Sequence, residues 1–135
     1  MSNLGILCID DQEVILESLS EQLKRYLGDE CDIETAQSGR EALEIIEELH
    51  DEGIEIALII ADQIMPGMKG DELLIEMHSK YPKTQKIMLT GQASAESVGR
   101  VVNAANLYRY IAKPWEETDL ILTVKEALRR YSQEI

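Results

Sequence analysis

The sequence predicts an α/β fold, a doubly wound sheet of five parallel strands with helices on both faces. Short apolar runs alternate with amphipathic segments along the whole chain, which is the pattern of βα units. The run Ile56–Ala61 is apolar at consecutive positions, as expected of a strand covered on both faces. That run ends in Asp62, and a second apolar run, Leu4–Ile9, ends in Asp10-Asp11. Ligands bind at strand C-termini in open parallel sheets, so the fold class already points to the acidic tips.

Leu4–Ile9 reads as the first strand. Gln12 to Leu27 then places Leu16, Leu19, Leu23, Tyr26 and Leu27 on one helical face, with Gly28 as the stop. Asp32–Ala36 is a short second strand ending at Ser38-Gly39. The helix that follows, from about Arg40 to Glu52, turns Leu43, Ile46 and Leu49 inward, while Glu41, Glu44, Glu48 and Glu52 form a solvated stripe. Ile56–Ala61 is the third and most central strand. After a turn-rich loop, Asp71 reads as the N-cap of a helix to about Lys80, stopped by Tyr81-Pro82.

Gln85–Leu89 is the fourth strand, ending at Thr90-Gly91. Ser94 caps a helix to about Ala105, with Val98, Val101, Val102 and Ala105 inward. Leu107–Ala112 is the fifth strand, ending at Lys113-Pro114. A last helix, from about Glu117 to Ser132, buries Leu120, Val124, Ala127, Leu128 and Tyr131. No linker, repeat or low-complexity stretch interrupts these units, so 1–135 is expected to be one domain, either a stand-alone protein or the front of a longer one. The right-handed crossover rule puts helices on both faces.

Composition narrows the function classes. Twenty-six acidic against 13 basic residues give a net charge of −13, which argues against non-specific nucleic-acid binding through phosphate neutralisation. Met1-Ser2-Asn3 has no basic region leading into an apolar stretch, and no run is long enough to span a bilayer. Cys8 and Cys31 lack metal-ligand spacing and read as reduced thiols of a cytosolic chain, with a disulfide as the minor alternative. His50 and His78 have no partner at ligand spacing and read as surface residues. Met65, Met68, Met77 and Met88 read as core or loop filler.

The chemistry lies at the strand tips. The first strand delivers Asp10 and Asp11, the third Asp62, the fourth Thr90 and the fifth Lys113. Parallel strands bring these tips to one sheet edge. Carboxylates suited to a hard divalent ion such as magnesium then meet a hydroxyl and an amine suited to phosphoryl oxygens, and one carboxylate is available as nucleophile. Taken singly, each has an ordinary reading: the aspartates as helix caps, Thr90 as a turn residue, Lys113 as a solvated lysine. Tyr108, Tyr110 and Trp115 could be aromatic packing on an edge strand.

The ordered set resembles the receiver domain of two-component response regulators. It comprises Asp10-Asp11, Asp62 followed by Met65-Pro66-Gly67 and Gly70, Thr90 after Met88-Leu89, then Tyr110 and Lys113-Pro114, and it covers the chain from Leu4 to about Tyr131. The resemblance implies a flavodoxin-like strand order, 2-1-3-4-5, and magnesium as cofactor. It implies that Asp62 accepts a phosphoryl group from a sensor histidine kinase or histidine phosphotransfer protein. Asp11 would bind the metal directly, Asp10 mainly through water, with Asp62 and the backbone carbonyl of Ile64 as further ligands. Lys113 would pair with Asp62 and then with the phosphoryl group, Thr90 would swing toward the phosphoryl oxygens, and Tyr110 would turn inward as the aromatic switch. The Lys113-Pro114 bond would be cis.

By the same resemblance, output runs through the fourth helix, fifth strand and fifth helix to an attached domain or a homodimer, with Arg100, Asn103, Tyr110, Lys125 and Arg129 as contact candidates. No direct nucleic-acid or membrane contact is expected, and the chain would not be classed as an enzyme. Ile64 and Gln92 fall at positions that tune the phosphorylated state, and apolar Ile64 points to slow self-hydrolysis. Gly91 stands where receivers often have alanine or another small residue, and Tyr108–Trp115 is similar to receivers joined to larger output modules. A haloacid-dehalogenase-type phosphatase needs Asp-x-Asp on the first strand, which this chain lacks. A nucleotide or flavin binder needs a glycine-rich phosphate loop where Asp10-Asp11-Gln12-Glu13 stands. A receiver used only for docking would not need the full site set.

Overall fold

In the computed structural model, which describes residues 3–133, the most apolar run becomes the centre of the sheet. β3 (Glu55–Ala61) lies between β1 (Leu4–Ile9) and β4 (Gln85–Thr90), while β2 (Asp32–Ala36) and β5 (Arg109–Ala112) form the edges. The order is β2-β1-β3-β4-β5 with every pairing parallel. This is the flavodoxin-like arrangement expected from the sequence. β3 is buried from Ile56 onward, β4 throughout, and the edge strands are largely half-exposed.

Strand alternation divides the core in two. Leu7, Ile9, Ile59, Ala61 and Met88 face α2 (Gly39–Asp51), α3 (Gly70–Lys80) and α4 (Ala95–Ala105). Ile6, Cys8, Leu58, Ile60, Ile87 and Leu89 face α1 (Glu13–Leu27) and α5 (Glu117–Gln133). Helices thus cover both faces, and all four site-bearing tips open on one edge. Met65, Met77 and Met88 are buried and Met68 is half-buried, as filler should be. Among the described residues no helix is long and apolar enough to cross a membrane.

Two helix starts follow the local capping rule. The Ser38 hydroxyl accepts from Glu41 N–H, and the Ser94 hydroxyl accepts from Ser97 N–H. The third start corrects the sequence reading. Asp71 is not the N-cap of α3: it lies inside the first turn and is buried, and Lys69 is the cap. Glu72 compensates by accepting Lys69 N–H at 2.9 Å. The helix begins early because Gly70 fits against the loop that follows β3, where a Cβ would lie 2.2 Å from the Asp62 carbonyl oxygen.

Other boundaries shift slightly. β3 starts at Glu55, β4 runs through Thr90, and β5 starts only at Arg109. Asn106 ends α4 in the left-handed conformation at φ 54°. Gly28 ends α1 at φ −62°, so its left-handed freedom is not used. Tyr26 and Val102, expected inward, are 48% and 50% exposed. Each sits beside a complete apolar stripe, Leu16-Leu19-Leu23-Leu27 and Val101-Ala105, about 100° away on the helical wheel. In α5, Ile121 is buried, while Leu128 and Tyr131 are only half-buried.

Leu58 is fully buried at the centre of the sheet, so Leu58→Ala is expected to cost ~2–5 kcal/mol of stability in urea titration. Val102→Ala, on the exposed side of α4, should stay within ~0.5 kcal/mol of wild type. Equal effects at the two positions would contradict the core assignment.

Candidate functional site

The site is assembled by hydrogen bonds that continue the sheet one residue past its strands. Asp10 N–H donates to Ala36 C=O (3.1 Å), Asp62 N–H to Ile9 C=O (2.9 Å) and Lys113 N–H to Thr90 C=O (3.2 Å). These bonds carry the sheet register into the loops, so the side chains after each strand converge. One carboxylate oxygen from each of Asp10, Asp11 and Asp62 lies within 4.8 Å of the others. Asp10 and Asp62 are buried, and Asp11 is exposed. An all-carboxylate oxygen set, open on one side, suits a hard divalent cation.

Lys113 reaches into this cluster and pairs with Asp62 as expected, and with Asp10 as well. Its ammonium is 2.5 Å from Asp10 Oδ2 and 3.6 Å from Asp62 Oδ1, so the tight pair is with Asp10. Asp62 Oδ1 already accepts the Gln63 N–H at 2.9 Å. Lys113 therefore bridges two buried carboxylates rather than serving Asp62 alone. The Lys113-Pro114 peptide is cis, as expected. Trp115 anchors the same loop to α1 through Nε1–H to Gln22 Oε1 (2.8 Å), and Arg25 pairs with Glu117 beside it at 3.0 Å.

Thr90 is buried at the end of β4. Its hydroxyl donates to Gln92 C=O (3.2 Å) and accepts Gln92 N–H (3.3 Å), so it is held by its own loop. Tyr110 is 39% exposed and donates a long hydrogen bond, 3.5 Å, to Thr90 C=O. The ring is thus outside the core but tied to the residue it was expected to follow. Tyr108 packs on the α1/α5 core with Arg109 and Arg130 over its ring. Ile64 turns its side chain half into solvent, and the loop reverses at Gly67, whose φ of +80° is left-handed.

One side chain of this region escaped the sequence reading. Gln63, next to Asp62, is buried, and its amide Oε1 accepts Asp71 N–H at 2.8 Å. Asp71 in turn pairs with Arg100 of α4 at 3.2 Å. A polar residue after a strand reads as a turn residue, and only its position in the loop packed under Gly70 could have marked it out. The histidines lie away from the site. His78, read as a surface residue, is half-buried with Nδ1 2.8 Å from Lys86 Nζ, and His50 stacks at a tilt on Tyr81. Cys8 and Cys31 are free thiols.

Burial is the largest influence on Asp62 and raises its pKa. The Thr90 hydroxyl and then the Lys113 ammonium pull it down, Asp10 pushes it up again, and the Gln63 N–H lowers it, with a net rise.

Comparison with known proteins gives a consistent picture. The family model described as response regulator receiver domain matches residues 6–125. The hydrogenase transcriptional regulatory protein HoxA of Cupriavidus necator is 32% identical over 123 residues, covering 91% of this chain and 24% of its own length. The chain spans about a quarter of the length of the hydrogenase regulators it matches. A signal receiver domain of an HD domain-containing protein from Pseudomonas fluorescens superposes with a TM-score of 0.87 at 32% identity, over 96% of this chain and 98% of that one. A CheY-like response regulator receiver domain protein from Methanospirillum hungatei gives 0.85 at 34% identity, over 97% and 98%.

The raised Asp62 pKa has a sign that can be tested. A carboxyl whose folded pKa lies above its unfolded value adds stability at low pH, and that stability is lost as pH rises through the folded pKa. In metal-free buffer Asp62→Asn should therefore resist urea better than wild type near neutral pH, with the gap closing as pH falls through the carboxylate range. Urea midpoints at a series of pH values measure this. A variant less stable than wild type at neutral pH would refute the assignment.

Proposed function

This chain belongs to the response regulator receiver domain family, and from that premise we propose that Asp62 is its phosphoacceptor, served by Asp10, Asp11, Thr90 and Lys113. It is a receiver of two-component signalling. The observation that carries the proposal is the convergence of three carboxylates, one ammonium and one hydroxyl at the tips of β1, β3, β4 and β5.

In the proposed reaction an Asp62 carboxylate oxygen attacks the phosphorus of a phosphohistidine. The P–O bond forms as the P–N bond breaks, and the imidazole nitrogen keeps the bonding pair and takes a proton. The transition state spreads charge over the equatorial oxygens, so placed positive groups and donors do most of the work. Lys113 sits between Asp10 and Asp62 and needs only a short movement to reach a phosphoryl oxygen on Asp62. Thr90 would give up its bonds to Gln92 for a phosphoryl oxygen. Tyr110, tied to the Thr90 carbonyl, would follow inward.

Asp10, Asp11 and Asp62, with the Ile64 carbonyl, would hold a magnesium ion, which when bound neutralises the oxygens of the transferring group. The donor chemistry supports this reading, since all are hard oxygen ligands. The phosphodonor would be a sensor histidine kinase or a histidine phosphotransfer protein. Output would pass through α4, β5 and α5 to an attached domain or a second copy. Arg100, Asn103, Tyr110, Lys125 and Arg129 are all exposed there, which supports that face as the readout. We place the chain in the cytoplasm as one signalling domain over 1–135 and not as an enzyme. The ends of that range, 1–2 and 134–135, lie outside the described residues.

Incubation with acetyl phosphate and magnesium should add one phosphoryl group to the wild type by intact mass, and chelation should prevent it. Asp62→Ala should remain unmodified. Lys113→Ala should be slowed roughly 10²-fold, the order expected on losing one placed electrostatic group. Modification that persists in Asp62→Ala would overturn the proposal.

A further inference from the structure

Gln63 has more roles than a turn residue requires. Its backbone N–H donates to Asp62 Oδ1 (2.9 Å), so it touches the proposed phosphoacceptor directly. Its backbone C=O accepts Gly70 N–H (3.1 Å) and its amide Oε1 accepts Asp71 N–H (2.8 Å). Those are the first two N–H groups of α3. Lys69, the residue at the cap position, has no acceptor to offer them. Gln63 therefore caps α3 from a distance. Its Nε2 donates a long bond, 3.4 Å, to the Ser97 hydroxyl in the first turn of α4. Ser97 also shares a 2.9 Å hydrogen bond with the cap residue Ser94.

A second link runs in parallel. The Asp71 carboxylate is buried, holds Glu72 N–H at 2.9 Å and receives Arg100 of α4 at 3.2 Å. Arg100 is half-exposed, so its guanidinium closes this contact from the solvent side. α4 is therefore bound at Ser97 and at Arg100, and both ties lead back to Gln63 and the Asp62 peptide.

We propose that Gln63 and the Asp71–Arg100 pair form a latch that holds the first turns of α4 against α3, and that phosphorylation of Asp62 loosens it. The release half rests on the phosphoacceptor reading above. Forming the acyl phosphate converts the carboxylate into a mixed anhydride, so Asp62 Oδ1 becomes a weaker acceptor for Gln63 N–H than the nearby phosphoryl oxygens. At the same time Thr90 is drawn off Gln92, and residues 91–94 connect Thr90 directly to the Ser94 cap of α4. Both movements pull on the Gln63–Ser97 contact, the longest in the chain of bonds. Gln63 and Arg100 are positioning residues, and they bias the equilibrium between two placements of α4.

The test uses the full chain and three variants, Gln63→Leu, Arg100→Met and Arg100→Lys. Hydrogen exchange over residues 95–105, with no phosphodonor present, reads the latch alone. The expected result is roughly tenfold faster exchange in Gln63→Leu and Arg100→Met, with α1 and α5 unchanged and Arg100→Lys in between. Binding of beryllofluoride with magnesium, read by Trp115 fluorescence, tests the coupling. Affinity should rise several-fold in the same two variants, because the competent state is more populated beforehand. Should Gln63→Leu fold poorly, the solvent-side Arg100→Met carries the test by itself. Unchanged α4 exchange in Arg100→Met would overturn the latch. Faster exchange with unchanged affinity would overturn its coupling to Asp62. Failure of wild type to bind beryllofluoride would instead count against the phosphoacceptor reading, with the exchange result still deciding the latch.

Discussion

The constraint behind the whole C-terminal edge of the sheet is the repulsion among Asp10, Asp11 and Asp62. With carboxylate oxygens within 4.8 Å of one another, each pair repels by roughly 3–4 kcal/mol at an effective dielectric of about 20. Exposure of Asp11 reduces its share. Lys113 touches both buried members, but one ammonium cannot balance three carboxylates. The fold offsets part of the rest with loop N–H groups, Gln12 donating to Asp10 Oδ1 and Gln63 to Asp62 Oδ1, each at 2.9 Å. The pKa of Asp62 is raised first by burial, and repulsion from Asp10 adds to that rise. A site with a standing deficit of positive charge is one whose hydrogen bonds rearrange when charge is added.

That imbalance could be read in the sequence because it coincides with the strand ends. β1 and β2 fall on their expected bounds, since an apolar run followed by acid or by Ser-Gly is a sharp signal in both burial and turn chemistry. The parallel topology then fixes which residues meet. What the sequence did not disclose were choices made by tertiary contact. Asp71 looked like a cap because capping rules weigh only local candidates, whereas Gly70 has to pack under the Asp62 carbonyl and moves the helix start. Tyr26 and Val102 are apolar residues beside stripes that were already complete. Lys113 is shared between Asp10 and Asp62, at 2.5 and 3.6 Å, a division that no spacing rule contains.

Gln63 joins these two themes. It had no signature in the sequence, yet it binds the proposed phosphoacceptor and supplies the acceptors that α3 lacks. Among the described residues every buried side-chain N or O atom has a hydrogen-bond partner. A buried amide in such a setting is costly to leave unpaired, so its bonds form a unit that moves as a whole or not at all. Arg100, first read as a contact for partners, is also part of that unit. A partner that engages Arg100 on the outer face would compete with Asp71, and by linkage would feel the state of Asp62.

The same economy applies to every group the proposed reaction needs. Thr90 is held by Gln92, Lys113 by Asp10, Gln63 by Asp62 and Asp71, and Tyr110 by the Thr90 carbonyl. Each contact is one hydrogen bond or ion pair whose net worth is about 1–3 kcal/mol. Phosphorylation would exchange these bonds for others of similar strength, so the difference between the two states should be a few kcal/mol rather than tens. A gap of that size leaves the second state populated at a low level before any phosphoryl group arrives. It also lets a single solvent-side side chain such as Arg100 shift the balance measurably. The small gap follows from building the switch out of loop-local bonds, while β1, β3 and β4 keep the carboxylates in place whichever way the loops settle.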